Sequence, residues 1–172
     1  MNEAVKDLPF HFESCAILNA PAETVFLHLD DHKRLSAHMG QRSWMMAGAR
    51  MEIGLDVLQG HAVGSKIHLN GRVLGIPLAV EEVIIEYRPP LLKLWKTTGT
   101  PKLLVIGHYR MGFEITPQGR VSQLRVFIDY ALPESLLASW FGRMFGRLYA
   151  RWCTQQMVGD AEKCFAREFV AH

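Results

Sequence analysis

The sequence is short of several things. Only three cysteines, Cys15, Cys153 and Cys164, occur among 172 residues. Three thiols cannot all pair, and their spacing fits no metal or redox motif. A reduced, cytoplasmic chain is therefore expected. No apolar run reaches the roughly 20 residues that a membrane-spanning helix needs. The opening MNEAVKDLPFHFES carries acids where a secretory leader needs bases, and it lacks an apolar centre. Charge of one sign is scarce as well: 19 Lys and Arg against 17 Asp and Glu leave +2. That excludes the strong positive field with which nucleic-acid binders gather phosphates. The composition, 49% hydrophobic and 21% charged, is not that of a disordered chain. Repeats, low-complexity runs and linkers are missing, so residues 1–172 read as one domain. A chain of this size buries about two-thirds of its unfolded surface, enough for a core without staples.

What is present is an ordered series of periodic segments. Phe10–Leu18 reads as a strand, and Asn19-Ala20-Pro21 stops it. Pro21 suits the first turn of a helix, where its missing N–H has no partner to lose. The helix Pro21–Leu29 puts Val25, Phe26 and Leu29 on one side, and a second short helix is expected over His32–Met39. From Met51 the period becomes two, with strands expected from Met51, over Ile67–Val73, Leu78–Tyr87, Leu91–Thr98, Leu104–Ile115 and Val121–Tyr130. Gly60, Pro89-Pro90, Gly99-Thr100-Pro101 and Pro117-Gln118-Gly119 separate them. The late strands have one oily and one charged face, as in an antiparallel sheet wet on one side. Pro133 then opens a long helix to about Phe169, with Leu137, Trp140, Phe141, Met144, Leu148 and Trp152 in one broad stripe. The predicted fold class is α+β: a curved antiparallel sheet of about seven strands wrapped around a long C-terminal helix, with two short helices after the first strand.

Several segments carry a resemblance. Ile17-Leu18-Asn19-Ala20-Pro21-Ala22-Glu23-Thr24-Val25-Phe26 is similar to a strand-to-helix turn of the START-related, polyketide-cyclase-like superfamily (SRPBCC). Leu29-Asp30-Asp31 with Leu35 resembles its short helix pair. Glu86-Tyr87-Arg88-Pro89-Pro90 with Trp95 resembles its mid-sheet turn. Tyr109-Arg110-Met111-Gly112-Phe113 and Asp129-Tyr130 resemble its last two strands. The resemblance implies a helix-grip fold holding an apolar ligand. Members include lipid and quinone carriers, hormone receptors, aromatase/cyclases and chaperone co-factors, and fold alone does not choose among them.

The function expected on this basis is binding, sequestration or transport of a hydrophobic small molecule in an internal cavity. A cyclase- or dehydratase-type enzyme in the same cavity, and an interaction module with a filled core, are the alternatives. Candidate ligand contacts come from four places. The Met-rich loop supplies His38, Met39, Arg42 and Trp44, since methionine adapts to varied ligands. The early strands supply Ile53, Val83 and Ile85. The late strands supply Trp95, Tyr109, Met111, Phe113, Val126 and Tyr130. The long helix supplies Trp140, Phe141, Met144 and Leu148. His38, Arg42, Tyr109 and Tyr130 would orient the ligand through polar atoms.

No catalytic set is visible, and an enzyme would need an inward acid or base such as His38, His61 or Asp129. His28 and His32 have metal-like i, i+4 spacing, but a solvent-facing pair at a helix end is the preferred reading, so neither metal nor cofactor is expected. Arg110, Glu114, Arg125 and Asp129 fall on the opposite phase and should form an outer cross-strand ladder. Arg143, Arg147 and Arg151 recur every fourth residue. They could touch anionic lipid, so membrane contact is expected only at a surface, with packing-edge arginines the preferred reading.

Overall fold

The computed structural model describes residues 7–31, 50–73, 76–133 and 136–166; the side chains at 50–51, 73 and 136–141 are outside that description. The chain opens with β1 (Phe10–Leu18) and α1 (Ala22–Asp30). Six strands follow: β2 (Arg50–Leu55), β3 (Lys66–Val73), β4 (Ile76–Arg88), β5 (Leu92–Lys102), β6 (Tyr109–Gln118) and β7 (Val121–Tyr130). The last element is the 31-residue helix α2 (Leu136–Ala166). The expected second short helix, His32–Met39, lies outside the described residues.

All seven strands form one antiparallel sheet in the order β1-β7-β6-β5-β4-β3-β2. The chain therefore runs as consecutive hairpins from β2 to β7, and only β1 is brought in from the far end. It pairs in register with β7, from Phe10 opposite Tyr130 to Leu18 opposite Ser122. Strand alternation does the rest. Trp95, Tyr109, Met111, Phe113, Ile115, Leu124, Val126, Ile128 and Tyr130 are buried on one face, which α1 and α2 cover. Phe26 of α1 meets Phe113 edge-on at 5.5 Å, and Trp95 meets the same ring at 6.4 Å. Such pairs add about 1 kcal/mol beyond the area they bury.

The other face is the expected charged ladder. Arg110 grips Asp129 at 2.7 Å, and Asp129 also takes His11 at 2.7 Å. Arg125 bridges Glu13 at 2.7 Å and Glu114 at 3.2 Å. Asp129 is thereby an outer-face residue and not an inward acid.

Two phases differ from the expectation. On β4 the inward residues are Leu78, Val80, Glu82 and Ile84. Val83 faces the other way, paired with Lys96, and Ile85 sits in a register shift between Ile84 and Glu86. Both are only half-buried. The cause lies in Leu78-Ala79-Val80-Glu81-Glu82-Val83-Ile84-Ile85, which is apolar in both phases, and the irregularity lets Ile84 and Tyr87 both turn inward. On α2 the stripe is rotated. Gly142, Gly146, Ala150, Cys153, Met157 and Ala161 face inward, while Met144 and Leu148 are each 50% exposed. Small residues decide this. A Cβ at position 142 would stand 2.9 Å from both the Pro133 Cδ and the Val105 carbonyl oxygen, so the backbone comes too close for anything larger. The segment before Tyr109 is likewise not strand, and Gly107 there lies against the Leu132 carbonyl, where a Cβ would be 2.7 Å away.

Candidate functional site

Two polar clusters interrupt the apolar inner face. The first is at the end of α1. Lys93, fully buried on β5, sends its ammonium to Asp30 Oδ1 at 2.5 Å and to the Asp30 carbonyl at 3.0 Å. Tyr87 donates its hydroxyl to Asp30 Oδ2 at 2.8 Å, and His61 Nδ1 lies 2.7 Å from the same oxygen. Burial alone would raise the Asp30 carboxyl, but the Lys93 ammonium and the Tyr87 hydroxyl outweigh it and hold the group below the usual carboxylate range. Burial lowers Lys93 in spite of its partner. This cluster ties α1, β4, β5 and the β2–β3 connection together. A carboxylate receiving three partners has little capacity left for a ligand.

The second cluster sits on the inner face between sheet and α2. Glu82, 5% exposed, accepts a hydrogen bond from the Tyr109 hydroxyl and another from the Trp95 indole. Tyr149 and Cys153 of α2 share a hydrogen bond and sit close enough to act on Tyr109. Among the described residues no Lys or Arg pairs with Glu82. Burial therefore raises its carboxyl to about 7, against the two hydrogen bonds that favour the anion. Burial likewise raises the Tyr109 and Tyr149 phenols and pushes the Cys153 thiol up to about 12. A carboxyl near neutrality can donate a proton as an acid or accept one as a base. The arrangement thus offers a proton donor and acceptor within the apolar interior.

The expected contact residues divide accordingly. Trp95, Tyr109, Met111, Phe113, Val126 and Tyr130 are all on the inner face and buried. Trp95 and Tyr109 converge on Glu82, whereas Phe113 packs under α1. Tyr130 stacks on Phe10 at 5.3 Å, near the position that Gly146 leaves open. Ile53 is half-buried at the core's margin. Val83 and Ile85 do not join the set, and Met144 and Leu148 face out. His38, Met39, Arg42 and Trp44 lie outside the described residues, as do the side chains of Trp140 and Phe141. His61 belongs to the Asp30 cluster. Glu82 and Tyr149 were missed by the sequence reading. For Glu82 the only signal was a carboxylate on a strand whose two phases were equally oily.

No family model matches the sequence, and no curated protein does. Solved structures do match. The Zhui aromatase/cyclase of a Streptomyces species is 16% identical, with a TM-score of 0.64 over 90% of this chain and 94% of that one. Norcoclaurine synthase from Thalictrum flavum is 14% identical, with a TM-score of 0.59 over 95% and 94%. Another structure of that synthase is a complex with dopamine and hydroxybenzaldehyde. The di-domain aromatase/cyclase BexL is 17% identical, with a TM-score of 0.59 over 91% of this chain and 50% of that one.

The fold is the helix grip. A curved seven-stranded antiparallel sheet with the long C-terminal helix α2 is the fold that this chain shares with those structures. At these identities the likeness extends to the fold and no further. Among the described residues no helix is long and apolar enough to cross a membrane, and no group of three metal-ligating side chains occurs.

Proposed function

We propose that this helix-grip protein acts as a single cytoplasmic domain that binds a hydrophobic small molecule between the curved sheet and α2. The observation that carries the reading is Glu82. A carboxyl buried with two neutral donors, and no cation among the described residues, costs stability, and a role toward a ligand would account for its being kept there. Trp95 and Tyr109 lie directly against it, and Met111 is the cross-strand partner of Trp95. Removing about 300 Å² of ligand surface from water contributes roughly 7 kcal/mol, less the cost of association. Three free cysteines accord with a reducing compartment.

A second reading is favoured by the same residue. Raised to about 7, Glu82 has the proton affinity of a general acid or base, as a cyclase-type reaction requires. The aromatase/cyclases and the synthase among the structural neighbours agree with it.

The test uses the apolar fluorophore N-phenyl-1-naphthylamine. Titration should give saturable binding at one site per chain, with weaker binding to Tyr109→Phe than to wild type. A linear, unsaturable rise in fluorescence would overturn the binding reading. The enzyme reading is separated by Glu82→Gln, which should retain the fluorophore and lose turnover of any substrate subsequently found.

A further inference from the structure

The rotation of α2 leaves an unexplained surface. Met144, Phe145 and Leu148 are 50%, 38% and 50% exposed on a helix whose other side is buried. Arg143, Arg147 and Arg151 are exposed among them. At 100° per residue, Arg147, Arg151, Met144 and Leu148 fall within about 100° of one another, with Arg143 and Phe145 on the two flanks. No acidic residue occurs from Leu136 to Gly159. Among the described residues none of the three guanidiniums is in an ion pair. Arg151 makes only a 3.4 Å hydrogen bond to Gln155.

We propose that this outer face of α2 docks the protein on an anionic lipid bilayer. Arginines set beside methionine, phenylalanine and leucine suit a surface that offers phosphates and, just beneath them, hydrocarbon. Nucleic acid would use the arginines but gain little from the apolar groups, and a chain of net charge +2 has no wider basic field to support it. Packing-edge arginines would need the neighbouring apolar residues to be buried, and they are not. The proposal goes beyond small-molecule binding and stands on different residues, so either can fail alone.

Co-sedimentation of the full chain with vesicles decides it. One set is phosphatidylcholine alone, and the other carries a quarter phosphatidylglycerol. The protein should pellet with the anionic set, release as salt rises, and stay largely in the supernatant with the neutral set. Replacing Arg143, Arg147 and Arg151 together by Gln should weaken binding on the order of 100-fold. Met144→Ser with Leu148→Ser should weaken it about tenfold while leaving its salt dependence, at unchanged far-ultraviolet circular dichroism. Equal binding to both vesicle types, no binding to either, or wild-type binding by the triple variant overturns the proposal. So does a lipid-free change of sedimentation coefficient in the Met144/Leu148 variant, which would make the face a contact between two copies. If the triple variant does not fold, the salt and lipid comparisons on wild type still decide.

Discussion

The sharpest prediction concerns Glu82 and pH. An unfolded glutamate titrates at 4.5, whereas burial raises the folded group to about 7. Between those values the folded chain keeps a proton that the unfolded chain has lost. Stability therefore falls as pH rises: the contribution is whole below the unfolded value and is lost as pH climbs through about 7. Each pH unit across that interval corresponds to about 1.36 kcal/mol, so the whole loss is about 3 kcal/mol. For a domain of this size that is a fall in Tm of about 6–12 °C. Thermal melts of wild type and Glu82→Gln between about pH 4.5 and 8.5 isolate the effect. The difference between them is the readout, because other titrating groups are common to both and cancel. Glu82→Gln keeps one acceptor oxygen and puts an NH2 donor in place of the other, so the bonds from Tyr109 and Trp95 must rearrange. The variant's absolute stability therefore shifts, but its pH slope should be flatter by the stated amount. Equal slopes in the two proteins would show that Glu82 titrates as an ordinary surface acid and would refute the reasoning.

Three further outcomes are expected. Asp30→Asn or Lys93→Met should each cost about 3–5 kcal/mol in denaturant unfolding, since either leaves a buried partner, and the double variant should recover part of the loss; strictly additive losses would deny the coupling. Gly142→Ala should destabilise by about 1–3 kcal/mol through overpacking against Pro133 and Val105, whereas Gly159→Ala, with open space around its Cβ, should stabilise by up to about 1 kcal/mol; melts of equal sign would refute the close approach. Arg125→Ala should cost less than about 1 kcal/mol despite its two carboxylate partners, because all three side chains are well exposed, and a larger loss on chemical denaturation would place the ladder among the principal supports of the fold.

Much of the fold was legible because the right signals coincided. β1 is stopped by Asn19-Ala20-Pro21 and β7 alternates after the Pro117-Gln118-Gly119 turn, and both strands have the expected limits. The outer ladder followed from period two and opposite charges. Where one signal stood alone, reading failed. In β4 hydrophobicity marked both phases, and the register shift at Ile84/Glu86 has no sequence mark. On α2 the large residues suggested one stripe and the small ones another, and close packing chose the small face: Gly142, Gly146 and Ala150 at four-residue spacing. The Leu104–Ile106 stretch has strand composition but is followed by Gly107, whose backbone packs against Leu132. Glu82 was hidden for a deeper reason. Polarity is ordinarily the sign of an outward residue, and an inward-facing acid violates that rule by position alone.

The two inward acids make the strongest argument about the site. Asp30 and Glu82 lie on the same side of the sheet and expose little surface, 6% and 5%, with Glu82 the more deeply buried of the two. Asp30 is given an ammonium, a phenol and an imidazole, and its charge is held. Glu82 is given a phenol and an indole, and its charge is discouraged. If both existed for stability, an apolar residue at position 82 would serve better, since replacing buried polar groups by well-packed apolar ones is often neutral or favourable. Asp30 has a structural task, fixing the end of α1 to β4 and β5. Glu82 joins no helix end to the sheet and adds no ion pair among the described residues. A carboxyl kept near neutrality in an apolar interior is instead suited to a partner that comes and goes, and this difference between the two acids is the physical basis of the proposal that ligand chemistry lies at Glu82 and Tyr109.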